Sequence, residues 1–163
     1  MFSLLDKRQS ASYDLVMFVP QSLESRDVVR LVRVSERELR HWCDIKVLLP
    51  DVANAVGKPG VRRRYSFENL VDAGIIKALL GHGITLHQVG QFLETYRSSK
   101  YRIMPHPSGS LFLVIQNGRA EVVTNLDSRF KKFLDPQRGQ DSFFAIAIHY
   151  IRGQLMGQVS QMV

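Results

Sequence analysis

The chain has 163 residues, 45 % of them apolar, and carries a formal net charge of +7. The length suits one domain, or a small domain with a second one appended. The apolar content excludes general disorder, and the charge favours a polyanionic partner, either nucleic acid or an anionic membrane surface. A single cysteine, Cys43, excludes an intramolecular disulfide framework and a multi-thiolate metal site within one chain, and it suits a reducing cytoplasm. The first residues lack the basic segment and long apolar run of a signal peptide. The longest apolar stretch, Phe143 to Ile151, is interrupted by His149 and falls far short of the ~20 residues that span a bilayer. A soluble, cytoplasmic protein with no membrane partner is expected.

The charge is concentrated. Between Ser25 and Tyr65 stand ten cations (Arg26, Arg30, Arg33, Arg37, Arg40, Lys46, Lys58, Arg62, Arg63 and Arg64) against five anions. Residues 1–24 form an N-terminal arm in which Leu15 to Val19 reads either as a strand or as a free segment. Ser25 is expected to cap a helix carrying Val28, Val29 and Leu31. Ser35-Glu36-Arg37-Glu38 fits a capping box, in which the serine oxygen and the glutamate satisfy each other's orphan amides. It opens a second short helix with Leu39 and Trp42 at i and i+3. Two short helices separated near Arg33-Val34 make a helix-turn-helix pattern, whose second helix lies in the major groove of DNA.

Pro50 ends this region, and Gly57-Lys58-Pro59-Gly60 is a turn cluster. Val61 to Tyr65 reads as a basic extended ribbon, a wing placed to grip phosphates. Ser66 caps a helix with Leu70, Ala73, Ile76 and Leu80 at helical spacing, which Gly81-His82-Gly83 breaks. Thr85 to Gln88 is another capping box, opening a helix that buries Val89, Phe92 and Leu93. From Ser98 to Gly109 the composition turns to Ser, Lys, Pro and His, marking a boundary. Beyond it Leu111 to Gln116 and Arg119 to Thr124 read as strands joined by a type I′ turn at Asn117-Gly118. Asp135-Pro136 to Gly139 forms a loop. The last element is expected to be an amphipathic helix with Phe144, Ile148, Ile151 and Leu155 on its apolar stripe.

Three motifs together resemble the MerR family of bacterial transcription regulators. The family pattern Val-Ser, two variable positions, Thr-Leu-Arg-Tyr-Tyr-Glu, then Gly-Leu-Leu and proline is similar to Val34-Ser35-Glu36-Arg37-Glu38-Leu39-Arg40-His41-Trp42-Cys43, then Lys46-Val47-Leu48 and Pro50. Its wing pattern matches Arg63-Arg64-Tyr65-Ser66 with Asn69-Leu70, and its later Gly-Phe-Ser-Leu-Glu-Glu-Ile is echoed by Gly83 to Val89. The family's paired tyrosines are His41 and Trp42 here, its glutamate is Cys43 and its glycine is Lys46. The resemblance covers about residues 25–95. It implies a winged helix-turn-helix head over 25–97; with the hairpin and last helix read above as a small C-terminal module over 98–163, the expected fold is mainly α with small β. It further implies that Arg37, Arg40, His41 and Trp42 sit on or beside the recognition helix, while Arg63 and Tyr65 hold the DNA backbone from the wing; Ser35 at the helix start, and Arg62 and Arg64 by their place in the triple arginine before Tyr65, are expected to contact DNA with them. Arginine can fork onto phosphate or guanine, and the Trp42 indole N–H can donate to phosphate.

The family also implies a homodimer, usually built by a long antiparallel helix after the head. Here that helix would begin near Thr85 and be cut short by Ser98-Ser99, Pro105 and Pro107, so the C-terminal module is the preferred dimer surface. The expected function is sequence-specific double-stranded DNA binding in transcription regulation, in the cytoplasm at the nucleoid. Two other readings stand beside it. One is an antitoxin-like autorepressor whose C-terminal module grips a partner protein, and the other an adaptor whose helix-turn-helix contacts protein without DNA. No catalytic constellation, P-loop or nucleophile elbow is present in the sequence, so no enzyme activity, cofactor or metal is expected.

Overall fold

The computed structural model describes residues 20–53, 60–102, 109–133, 135 and 143–162. The arm before Pro20, most of the turn cluster at 57–60, the prolines at 105 and 107 and the loop at 136–139 lie outside the described residues. The chain divides into two compact units, one of residues up to Val71 together with those from Gly153 onward, the other of Asp72–Arg152.

The first unit begins with a two-residue strand, β1 (Leu23–Glu24), followed by α1 (Ser25–Val32) and α2 (Glu36–Asp44). Ser25 is the first residue of α1 and not its cap. The cap is Glu24, whose N–H donates to Asp27 Oδ2 at 2.9 Å, a capping box built from two carboxylates. Arg33 ends α1 in the left-handed conformation (φ 58°), and Val34 N–H donates back to Val29 O at 3.2 Å. That closure makes the tight turn of the pair. The box at α2 is as the sequence indicates: Glu38 N–H donates to Ser35 Oγ at 3.1 Å, and Ser35 N–H to Glu38 Oε2 at 2.8 Å. Past α2, Lys46 takes φ 61° so that Val47 and Leu48 N–H can both donate to Trp42 O.

Strand β2 (Arg64–Tyr65) pairs antiparallel with β1 in the register Leu23↔Tyr65 and Glu24↔Arg64. Arg64 is bonded on its other side to Ala53, whose N–H and carbonyl both engage it. The ribbon is therefore three segments wide at one residue. Leu23, Val28, Leu39, Trp42, Leu48 and Tyr65 are buried in this unit, as are Leu155 and Val159 near its C-terminal end.

Helix α3 (Phe67–Gly81) carries the chain from the first unit into the second, and α4 (Leu86–Arg97) follows with its Thr85–Gln88 capping box. A single 3-10 turn occupies Lys100–Arg102. The three-stranded antiparallel sheet has β3 (Leu111–Gln116) at its centre, β4 (Arg119–Thr124) on one side and β5 (Phe144–Ala147) on the other. Asn117 (φ 51°) and Gly118 (φ 72°) form the tight hairpin turn, where both central residues need positive φ. Helix α4 packs against β4, and the short α5 (Ser128–Phe133) also lies by that strand.

One expected element differs. Phe144 was expected on the apolar stripe of the last helix, but it belongs to β5, and α6 starts only at Ile148 and runs to Ser160. The reason lies in β3, where Leu111, Leu113, Val114 and Ile115 are all buried, so that both faces are covered. A strand of that kind is central and needs a partner on each edge; the hairpin supplies one, and Phe144-Ala-Ile-Ala supplies the other through Leu113↔Ile146 and its neighbours. A four-residue apolar run does not by itself distinguish strand from helix.

Candidate nucleic-acid interface

Helix α2 turns Leu39, Trp42 and Cys43 inward. At a hundred degrees per residue this leaves Arg37, Arg40, His41 and Asp44 pointing away from the core, at i, i+3, i+4 and i+7. All four are exposed, as is Ser35 at the cap. The serine and glutamate of the capping box fix where the helix begins, and so fix which of its residues lead.

The basic strand lies beside this helix. Arg63 Nη2 donates to Asp44 Oδ1 at 2.6 Å, tying the strand before β2 to the end of α2. Asp44 is the one carboxylate on the outward stripe, and this pair offsets its charge. Arg64 pairs with Glu24 at 3.1 Å, the same carboxylate that meets Arg26. Arg62 is exposed. Between α1, α2 and the strand is an open cleft of about 330 Å³ lined by Ser25, Glu36, Leu39, Arg40, Val61, Arg63 and Tyr65. Arg37, Arg40 and Arg62 form no ion pair among the described residues.

Two of the residues expected to touch a ligand directly are instead core. Trp42 is 2 % exposed and Tyr65 1 %, so neither side chain presents a donor at the surface. The aromatic ring at each position anchors its element: Trp42 under α2, Tyr65 under the ribbon. The Tyr65 hydroxyl lies 3.6 Å from Cys43 Sγ. Burial pushes the Cys43 thiol up from its ordinary value, more than the contact with Tyr65 and the nearby Arg63 pull it down. Burial likewise drives the Tyr65 phenol far up. This cysteine is a protonated packing residue.

A polar knot that the sequence does not announce sets the wing's base. Asn69, 2 % exposed, accepts from Asp51 N–H at 2.9 Å through Oδ1 and donates to Leu49 O at 2.8 Å. Ser66 Oγ donates to Asp51 Oδ2 at 2.7 Å and accepts from Asn69 N–H at 3.1 Å. The only local hint is Ser66 three residues before Asn69 at a helix start. Asp44 with Arg63, nineteen residues apart, leaves no hint at all. No group of three or more potential metal ligands occurs among the described residues, and none of their helices is long and apolar enough to cross a membrane.

Residues 23–96 match the family model described as MerR HTH family regulatory protein. Among curated proteins the chain is similar to an uncharacterized HTH-type transcriptional regulator of Mycobacterium bovis and to counterparts from two strains of Mycobacterium tuberculosis. Each is 32 % identical over 60 residues, covering 37 % of this chain and 26 % of the relative. The chain thus aligns with about a quarter of the length of these relatives.

Proposed function

From the match of residues 23–96 to the MerR HTH family model, we propose that the chain is a dimeric, sequence-specific regulator of transcription that binds double-stranded DNA. The family is one of regulators and not an enzyme class. In this reading α2 enters the major groove with Ser35, Arg37, Arg40 and His41 toward the bases and flanking phosphates. Arg62, Arg63 and Arg64 line the wing along the backbone. Trp42 and Tyr65 act from beneath, holding the helix and the ribbon at their spacing. Residues 25–97 form the DNA-binding head, and 98–163 supply dimerisation at the nucleoid.

The observation that carries the reading is the exposed set Arg37, Arg40 and Arg62, which have no anionic partner among the described residues, on elements joined by the Arg63–Asp44 pair. Solvated cations held on a fixed scaffold suit phosphates, and their counterion release makes binding steeply salt-dependent. Fluorescence anisotropy with labelled random duplexes tests this. The chain is expected to bind at low salt and to weaken as salt rises. Replacing Arg37, Arg40 and Arg62 together by Ala is expected to lower the slope of log affinity against log salt by about three, at ~0.9 per phosphate contact. Flat anisotropy at every salt concentration would overturn the proposal in favour of a protein-binding adaptor.

A further inference from the structure

Glu36 is the first residue of α2, exposed, and lines the same cleft as Arg40 and Arg63. Its position is awkward for a surface that meets a polyanion. A carboxylate at the leading end of a helix that approaches DNA is repelled by every phosphate in range unless it finds a hydrogen-bond donor there. Glu36 and Arg40 are spaced i and i+4 with the acid first, the orientation that favours an ion pair along a helix. No such pair forms, and neither side chain has another charged partner among the described residues. The cleft therefore holds an acceptor and a forked donor, adjacent on one flank of the helix, both unspent.

Duplex DNA presents the complement of that pair. In the major groove guanine offers two acceptors, O6 and N7, which fit an arginine fork, and the paired cytosine offers the N4 amino donor, which fits a carboxylate. Adenine also offers an amino group, but its neighbour N7 is an acceptor that repels a carboxylate, and thymine offers no donor. We propose that Glu36 and Arg40 together read a G·C step in the target site, Arg40 taking guanine and Glu36 the cytosine amino group of the same or the adjoining pair. Glu36 is thus a specificity-determining residue; it costs non-specific affinity and returns discrimination. The inference rests on the DNA-binding reading above and adds to it a base class and a residue.

A plainer role exists: an acidic residue in the first turn interacts favourably with the helix N-terminus. That role leaves base preference untouched, which makes the two separable. The test is selection of bound duplexes from a randomised pool by the full chain, by Glu36→Gln, Glu36→Ala and Arg40→Ala, with folding of each checked by circular dichroism. Glu36→Gln keeps the size and an N-terminal acceptor but can also donate, so it serves as the conservative variant. The wild-type chain is expected to enrich a motif with a fixed G·C position. Both Glu36 variants are expected to lose cytosine preference at that position by about tenfold while binding random duplex more tightly, and Arg40→Ala to lose the guanine preference. A motif unchanged in the Glu36 variants would overturn the inference and leave DNA binding intact. Absence of any bound duplex from the wild-type chain would overturn both.

Discussion

Lys46 adopts φ 61° directly after α2, at the position where the family pattern has glycine. The left-handed region costs a side-chain-bearing residue roughly 1–2 kcal/mol, while glycine loses about 0.5–1 kcal/mol of extra chain entropy on folding. Lys46→Gly is therefore expected to stabilise the protein by roughly 0.5–1 kcal/mol, read as a higher urea midpoint. Cys43 and Tyr65 govern a second residue-scale expectation. Both have pKa values raised above their ordinary 9.0 and 10.0, first by burial. The unfolded chain then releases two protons in alkali that the folded chain retains. Their contribution is complete below about pH 9 and is lost as pH climbs through the raised values. Urea titrations from pH 7 to 11 are expected to show stability falling above pH 9, less steeply in Tyr65→Phe. For the same reason Cys43 is expected to react with a thiol reagent at pH 8 only after denaturation. Rapid labelling of the native chain would refute its burial.

At the scale of elements, the short-range devices are the ones that can be read along the chain. Ser35 with Glu38, Thr85 with Gln88 and the Asn117-Gly118 turn each close within four residues, so their residue types suffice to place them. Burial of Trp42 and Tyr65 depends on which side of a short helix and a two-residue strand meets the core, and a basic neighbourhood disguises it. Strand β5 depends on a partner some thirty residues earlier. Comparable in reach is the anchor of α3. Asp72 is buried and takes Arg97 Nε at 3.1 Å from the end of α4, together with a two-pronged contact from Arg102 in the 3-10 turn. Burial pushes its carboxyl upward while the two guanidiniums pull it down. Separations of 25 and 30 residues leave no periodic trace. Asp72→Asn would leave two arginines facing each other with little exposure, so a loss of about 3–5 kcal/mol is expected in urea unfolding. A loss below 1 kcal/mol would mean that these helices are held by apolar packing alone.

For the whole molecule, the division of labour between head and C-terminal module remains our proposal, and it has a physical corollary. Helix α4 ends at Arg97 after twelve residues, too short for the long antiparallel coil that usually joins two heads in this family. If the sheet joins the copies instead, the protein sediments as a dimer and protects a palindromic footprint. A wild-type monomer at micromolar concentration would exclude that arrangement. Two symmetric heads also demand an inverted repeat, with half-sites spaced about one helical turn or a deformed spacer between them.

Arg64 holds Glu24 on one flank through strand register and Ala53 on the other through paired amide bonds. A single peptide unit is thus the common seam of the entry to α1, the segment leaving α2 and the strand entering α3. Loosening any one of the three tugs on the other two, so changes at this seam are inherited together or rejected together. Variation among related proteins should accordingly be scarce at the joint itself.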